Sequence, residues 1–72
     1  MAHVVTIAHM PQGLELKLER VAAQVQVQQI ARAMGLTDGR ISKIERADRL
    51  DPKTVARYRA ALATCATSRE AA

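Results

Sequence analysis

One glycine, Gly35, separates two short segments of helical periodicity, and this arrangement restricts the possible folds more than any other feature. A glycine just after the last periodic residue supplies the left-handed conformation that ends a helix. Apolar residues on either side would fill the wedge between two crossing helices. They are Ile30, Ala31, Met34, Leu36, Ile41 and Ile44. The pattern predicts helices over about 27–34 and 38–46, with the small Ala31 at their crossing.

Capping residues define the start of two helices. Thr37 can accept a hydrogen bond from an unpaired backbone N–H at the start of the 38–46 helix. Asp51 followed by Pro52 is typical of a helix start, because proline at the first helical position loses no hydrogen bond. This fourth helix is expected to reach about Thr64. Its predicted inward residues are Val55, Tyr58 and Leu62.

Apolar periodicity alone predicts a first helix over about 14–24. Its predicted buried stripe consists of Leu14, Leu18, Val21 and Val25. Before this helix, the β-favouring run from Val4 to Ala8 either pairs with the same strand of a second subunit or forms a loose arm. The predicted fold class is therefore all-α, with a short extended N-terminal arm over 1–13, a four-helix domain over 14–66 and a disordered tail over 67–72.

The core is thin for a chain of 72 residues, since 14 of its 35 apolar residues are alanine. A domain of this size buries only about 60% of the surface of the unfolded chain. We therefore expect a homodimer, in which the partner subunit adds burial. Cys65 is the only cysteine, which excludes an intramolecular disulfide. No apolar stretch approaches the roughly 20 residues of a membrane span and no signal peptide is recognisable, so we expect a cytoplasmic protein.

The positive charge of the chain, +4 overall, is concentrated in residues 32–59. This segment holds eight basic and four acidic residues, whereas the charges of the rest of the chain cancel. A concentrated basic region on a small domain favours a polyanionic partner. Nucleic acid is favoured over a membrane, because no amphipathic aromatic stripe is present. A solvated basic surface is the alternative interpretation.

Two motifs in the second half of the chain resemble a known family. Residues 35–46 read GLTDGRISKIER, and residues 51–62 begin with Asp-Pro and end on a leucine. They are similar to the turn, the recognition helix and the fourth helix of the Cro/C1-type (xenobiotic-response-element-like) helix-turn-helix family, which residues 27–62 as a whole resemble. The resemblance implies a lambda-repressor-like fold and a transcriptional regulator, more specifically a repressor, that binds a palindromic operator in double-stranded DNA. It also implies that residues 37–46 enter the major groove.

If Ile41 and Ile44 face inward, the opposite surface of the third helix is left for DNA. Its basic side chains can pair with guanine or phosphate, and its hydroxyl groups can bond to either. The expected DNA-binding residues are Gln28, Thr37, Asp38, Gly39, Arg40, Ser42, Lys43, Arg46 and Arg49. Asp38 either accepts from a cytosine amino group or only complements the helix dipole. Gly39 either permits close approach to DNA or is tolerated near the helix start.

Residues around the third helix have predicted supporting roles. Glu45 would repel phosphate, so we expect it to face inward and pair with Arg49 or Arg57. Arg46 and Arg49, at the exit of the helix, are better placed for backbone phosphates. Val27 stands where the family favours a glutamine that meets a phosphate. The glutamines that could take this role are Gln26, Gln28 and Gln29.

We expect neither an enzyme nor a cofactor. His3 and His9 lack the further ligands of a structural zinc site, and Cys65 has no nearby histidine in sequence. No catalytic motif stands out, and we expect no small-molecule substrate. Tyr58, the only aromatic residue, is expected in the core or at a dimer contact. A protein-interaction module, such as an antitoxin or adaptor, is the competing function class.

Overall fold

Four helices make up the part of the chain that the computed structural model describes, residues 10–71 with side chains to residue 67. They are α1 (Gln12–Ala22), α2 (Val27–Met34), α3 (Asp38–Arg46) and α4 (Pro52–Ala71). These residues contain no strand, and the prediction of an all-α chain is confirmed over this range. The β-favouring run predicted from Val4 to Ala8 lies outside the described residues.

A three-residue turn joins α2 to α3. Gly35 has a φ of 70°, and its N–H donates to the carbonyl oxygen of Arg32 at 3.3 Å. An L-residue with a side chain would be strained there. The hydroxyl oxygen of Thr37 accepts from the N–H of Arg40 at 3.2 Å. Both predicted capping roles are therefore confirmed, and together they define where α2 ends and α3 begins.

Helix α4 begins at Pro52, as predicted, and a carboxylate oxygen of Asp51 accepts from the N–H of Lys53 at 3.2 Å. It continues to Ala71, beyond the predicted end near Thr64 and into the segment where we expected a disordered tail. The sequence after Pro52 is rich in alanine, the best helix former, and contains no further glycine or proline to end the helix. None of the described helices combines the length and apolar character needed to span a membrane.

The core forms because α4 packs mainly on α2, and α1 mainly on α3. Its members are Leu16, Val25, Ile30, Ala31, Met34, Ile41, Tyr58, Ala61 and Leu62. Tyr58 was predicted to lie in the core or at a dimer contact, and its complete burial within one chain places it in the core. Ile44 and Val55, which we predicted to face inward, are only partly buried and pack against this core.

Helix α1 turns a different face to the core from the one that periodicity predicted. Of the predicted stripe only Val25 is buried, and it lies beyond the end of α1. The exposed members are Leu14 (38%), Leu18 (48%) and Val21 (53%). Leu16 is the large apolar side chain that α1 contributes to the core, and it is 1% exposed.

Contacts at the start of α1 explain this orientation. The N–H groups of Gln12 and Gly13 donate to the carbonyl oxygens of Asp48 and Ala47, both at 3.0 Å. These bonds satisfy donors that no side chain caps at this helix start. A Cβ on Gly13 would lie 2.3 Å from the carbonyl oxygen of Ile44, so only glycine fits. Gly13 therefore belongs to the helical domain and not to the N-terminal arm, where we had placed it.

Candidate nucleic-acid interface

Helix α3 turns one face into the core and the opposite face to the surface. Ile41 is fully buried, and Glu45, one turn later, is 8% exposed. The exposed residues of this region are Thr37, Asp38, Gly39, Arg40, Lys43 and Arg46. Ser42 is half-buried and stands at the edge of the exposed surface. The predicted site residues of this helix thus share one face, with Ser42 at its boundary with α1.

The two predicted site residues outside this helix and its cap are also exposed. Gln28 lies in the first turn of α2, and Arg49 lies in the loop between α3 and α4. Gln29 is occupied in capping α2, because its side-chain oxygen accepts from the N–H of Gln26 at 2.8 Å. Of the glutamines that could replace the one missing at Val27, Gln28 is therefore better placed than Gln29 to meet an external group.

Glu45 faces inward, as predicted, but its ion-pair partner is Arg20 of α1. The Nε of Arg20 donates to one carboxylate oxygen at 2.7 Å, and its second terminal nitrogen donates to the other at 3.1 Å. The hydroxyl of Tyr58 in α4 donates to the same carboxylate at 2.5 Å. The expected pairing with Arg49 or Arg57 is wrong, because the packing of α1 on α3 places Arg20 beside the Glu45 carboxylate. One carboxylate therefore joins three helices.

The shared carboxylate changes the proton affinity of both donors. The hydrogen bond to Glu45 raises the pKa of the Arg20 guanidinium. Burial raises the pKa of the Tyr58 phenol above its usual 10.0, and the hydrogen bond to Glu45 raises it further. Arg20 therefore stays charged and Tyr58 stays neutral around physiological pH. Within the described side chains, no buried polar atom lacks a hydrogen-bond partner.

The described side chains contain two ion pairs, and both involve α1. One is Arg20 with Glu45, and the other is Arg59 with Glu19 at 2.8 Å on the surface. The hydrogen bond to Glu19 raises the pKa of Arg59. The other basic side chains of this part of the chain form no ion pair within it, so their charge is available to an external anion. They are Lys17, Arg32, Arg40, Lys43, Arg46, Arg49, Lys53 and Arg57.

One cation beside α3 was missed by the sequence analysis. Lys17 of α1 lines a pocket of about 170 Å³ together with Ser42, Glu45 and Arg46. Our prediction gave α1 the wrong buried face, so nothing placed Lys17 next to α3. Gly13 lies three residues before Leu16, on the same face of α1, and both are buried. This spacing was the one feature of the sequence that could have predicted which face of α1 is buried.

Three further features of the described chain were considered as sites: metal-ligand groups, Cys65 and the pocket between α2 and α4. No group of three or more His, Cys, Asp or Glu side chains is arranged there to hold a metal ion, and His3 and His9 lie outside it. Cys65 is half-buried, with its sulfur 3.5 Å from the carbonyl oxygen of Gln29. A pocket of about 370 Å³ between α2 and α4 is lined mainly by small side chains, with Arg57 as its charged residue.

Comparison of the chain with protein-family models, with curated proteins and with solved structures found no match.

Proposed function

We propose that this protein is a cytoplasmic, sequence-specific regulator of transcription, a repressor that binds double-stranded DNA as a homodimer. In this proposal α2, the turn at Gly35 and α3 form a lambda-repressor-like helix-turn-helix, and α3 enters the major groove. The observation that carries the proposal is the exposed polar and cationic face of α3, on a helix whose opposite face is held by Ile41 and Glu45. The resemblance of residues 35–46 to the Cro/C1-type family adds support.

The exposed residues of α3 and of the loop after it divide into two roles. Lys43 and Arg40 reach guanine edges, whereas Arg46 and Arg49 hold backbone phosphates. A Cβ on Gly39 would meet nothing nearer than the Thr37 hydroxyl oxygen at 4.0 Å. The fold itself therefore does not require glycine at position 39, and this favours a role in close approach to DNA.

An apolar stripe on α1 supports the homodimer. We define the α1 stripe as Met10, Leu14, Leu18 and Val21, which are 42%, 38%, 48% and 53% exposed. The spacing of four and three between Leu14, Leu18 and Val21 places these three on one face of α1, and Met10 lies two residues before the helix. Exposed apolar side chains grouped in this way favour a contact with another protein surface. A twofold dimer would place two copies of α3 about 34 Å apart, which matches half-sites one DNA turn apart.

Selection of bound duplexes from a random pool tests the proposal. We expect an enriched palindrome whose half-sites are about one helical turn apart. We also expect the affinity for random duplex to fall steeply with salt. A protein that enriches no sequence and binds no duplex at low salt would refute DNA binding. Sedimentation that shows only monomer at tens of micromolar, with and without DNA, would refute the homodimer.

The α1 stripe also favours a second candidate, a protein-interaction module of the antitoxin or adaptor kind. In that case the stripe binds a different protein, and the cations of α3 form a solvated surface. This candidate predicts that duplex binding is undetectable at low salt. The salt titration therefore separates the two functions.

A further inference from the structure

A small notch lies between α1 and α3, at the edge of the exposed face of α3. Its lining residues are Lys17 from α1 and Ser42, Glu45 and Arg46 from α3, around a volume of about 170 Å³. Lys17 and Arg46 are exposed, whereas Ser42 is half-buried and Glu45 is buried. Two cations and one hydroxyl group from two helices thus border the same small space.

The carboxylate in the wall of the notch does not neutralise these cations. One oxygen of Glu45 accepts from Arg20, and the other accepts from both Arg20 and Tyr58. Neither Lys17 nor Arg46 forms an ion pair among the described side chains. Lys17, Arg46 and Arg20 are three cations near the single Glu45 carboxylate, so the net charge of these four side chains is positive. Ammonium, guanidinium and hydroxyl donors around one space fit a phosphate oxyanion.

We infer that the notch binds one phosphate of the DNA backbone, and that Lys17 is part of the binding surface. The space of about 170 Å³ is large enough to admit the free oxygens of a phosphodiester. The inference rests on the proposed DNA binding. It assigns Ser42 to a phosphate instead of a base, because its half-buried side chain lies at the α1 side of α3.

The notch has a positioning role. Phosphate contacts set the register and orientation of a protein on the duplex and carry no sequence information themselves. A phosphate held by Lys17 and Arg46 together would fix α3 from its α1 side, at its C-terminal end. Lys43 and Arg40 would then meet base edges at a defined depth in the groove.

The salt dependence of duplex binding by Lys17→Ala tests the inference. Loss of one phosphate contact lowers the slope of log K against log salt concentration by about 0.9. If the contact acts through counterion release alone, affinity at 0.1 M salt falls about eightfold relative to a 1 M reference. The preferred sequence is expected to stay unchanged. Lys17→Arg keeps the positive charge and is expected to keep the slope. Ser42→Ala removes an uncharged donor and is expected to weaken binding without changing the slope.

Duplexes that carry one uncharged methylphosphonate at a time locate the contact. At one position per half-site, we expect the wild type to lose affinity and Lys17→Ala to lose less, because only Arg46 and Ser42 still contact that phosphate in the variant. Lys53→Ala is the matched control, because Lys53 is an exposed cation that does not line the notch. It is expected to remain as sensitive as the wild type at that position.

The experiments distinguish an error in the phosphate assignment of the notch from an error in the proposed DNA binding. If the wild type binds duplex but Lys17→Ala keeps its slope, the notch assignment is wrong and DNA binding stands. If the wild type binds no duplex at low salt, both are wrong. Titration with inorganic phosphate at constant ionic strength, followed at the Ser42 amide by NMR, separates the two sources of phosphate. Saturation by millimolar phosphate together with an unchanged DNA slope would identify a free-anion site and overturn the inference.

Discussion

Arg20 of α1 and Glu45 of α3 form a bidentate ion pair that is almost completely buried. Their side chains are 11% and 6% exposed, and the two N–O distances are 2.7 and 3.1 Å. Tyr58 of α4 donates to the same carboxylate. The orientation of α3 therefore depends on residues of α1 and α4 that lie behind its exposed face.

Arg20→Ala is expected to destabilise the fold by about 3 kcal/mol, because it leaves the buried Glu45 carboxylate without its cation. The free energy of unfolding in urea, followed by circular dichroism, measures this loss. Arg59→Ala is the matched control, since its pair with Glu19 is 49% and 39% exposed and is expected to contribute less than about 1 kcal/mol. Equal losses for the two variants would contradict the structural importance of the buried pair.

Tyr58→Phe is expected to cost about 2 kcal/mol, because it removes a hydrogen bond to a charged group. The cost should depend on pH. Burial raises the pKa of Tyr58, so the folded state keeps the phenol protonated where the unfolded state begins to lose the proton, near pH 10. The stabilisation is complete below this pH and is lost as the pH rises above it. The difference in unfolding free energy between wild type and Tyr58→Phe should therefore shrink above about pH 10. A difference that stays constant would contradict the raised pKa of Tyr58 in the folded state.

Alanine at two glycines is expected to have opposite effects on stability. Gly13→Ala places a Cβ against the backbone of Ile44 and Glu45 and should destabilise by about 1–3 kcal/mol. Gly39→Ala makes only an ordinary contact, with the Thr37 hydroxyl oxygen at 4.0 Å, and should stabilise α3 by up to about 1 kcal/mol, since alanine favours helix over glycine. Thermal unfolding measures both. If Gly39 permits close approach to DNA, the more stable Gly39→Ala variant binds duplex more weakly, and unchanged affinity would rule out that role.

Substitutions on α3 and in the loop after it should separate base contacts from phosphate contacts. Lys43→Ala and Arg40→Ala are each expected to weaken operator binding by about 1–3 kcal/mol and to relax sequence preference. Arg49→Ala is expected to weaken binding to all sequences alike and to lower the salt slope by about one. Binding is measured on the selected operator and on single-base variants. If Lys43→Ala and Arg40→Ala both leave affinity and preference unchanged, the proposed orientation of α3 on DNA is wrong.

Leu18→Glu is expected to produce a monomer without a loss of helical content, because Leu18 is 48% exposed and lies in the middle of the α1 stripe. Sedimentation measures the oligomeric state and circular dichroism the helical content. Ala63→Glu, on the exposed surface of α4, is the matched control and should leave the dimer intact. A monomer from Ala63→Glu alone would place the subunit contact on α4.

The helices around the turn were predictable because their signals are local. Gly35, Thr37 and Asp51 each act within a few residues of their own position, and the structure confirms their capping roles. The buried face of α1 was not predictable in the same way. Periodicity finds an apolar stripe but not the surface against which a helix packs. That surface was decided by Gly13, which contacts the backbone at the end of α3.

The candidate site was predictable to the same extent as α3 itself. The positions of Ile41 and Ile44 were enough to predict which α3 side chains are exposed, except Ser42, which is half-buried. The partner of Glu45 was not predictable, because Arg20 lies 25 residues away in sequence and reaches it only through the packing of α1. The half-burial of Ser42 and the proximity of Lys17 follow from the same packing. Sequence patterns therefore described one helix correctly but not its neighbour.

The hydrogen bonds from Gln12 and Gly13 to the carbonyl groups after α3 fasten the start of α1 to the end of α3. A second subunit that binds the α1 stripe would therefore also fix the position of α3 within the dimer. The two recognition helices of such a dimer could not adjust their separation independently. Operators with one base pair added between the half-sites would then be rejected on geometry alone, even when every base contact is preserved.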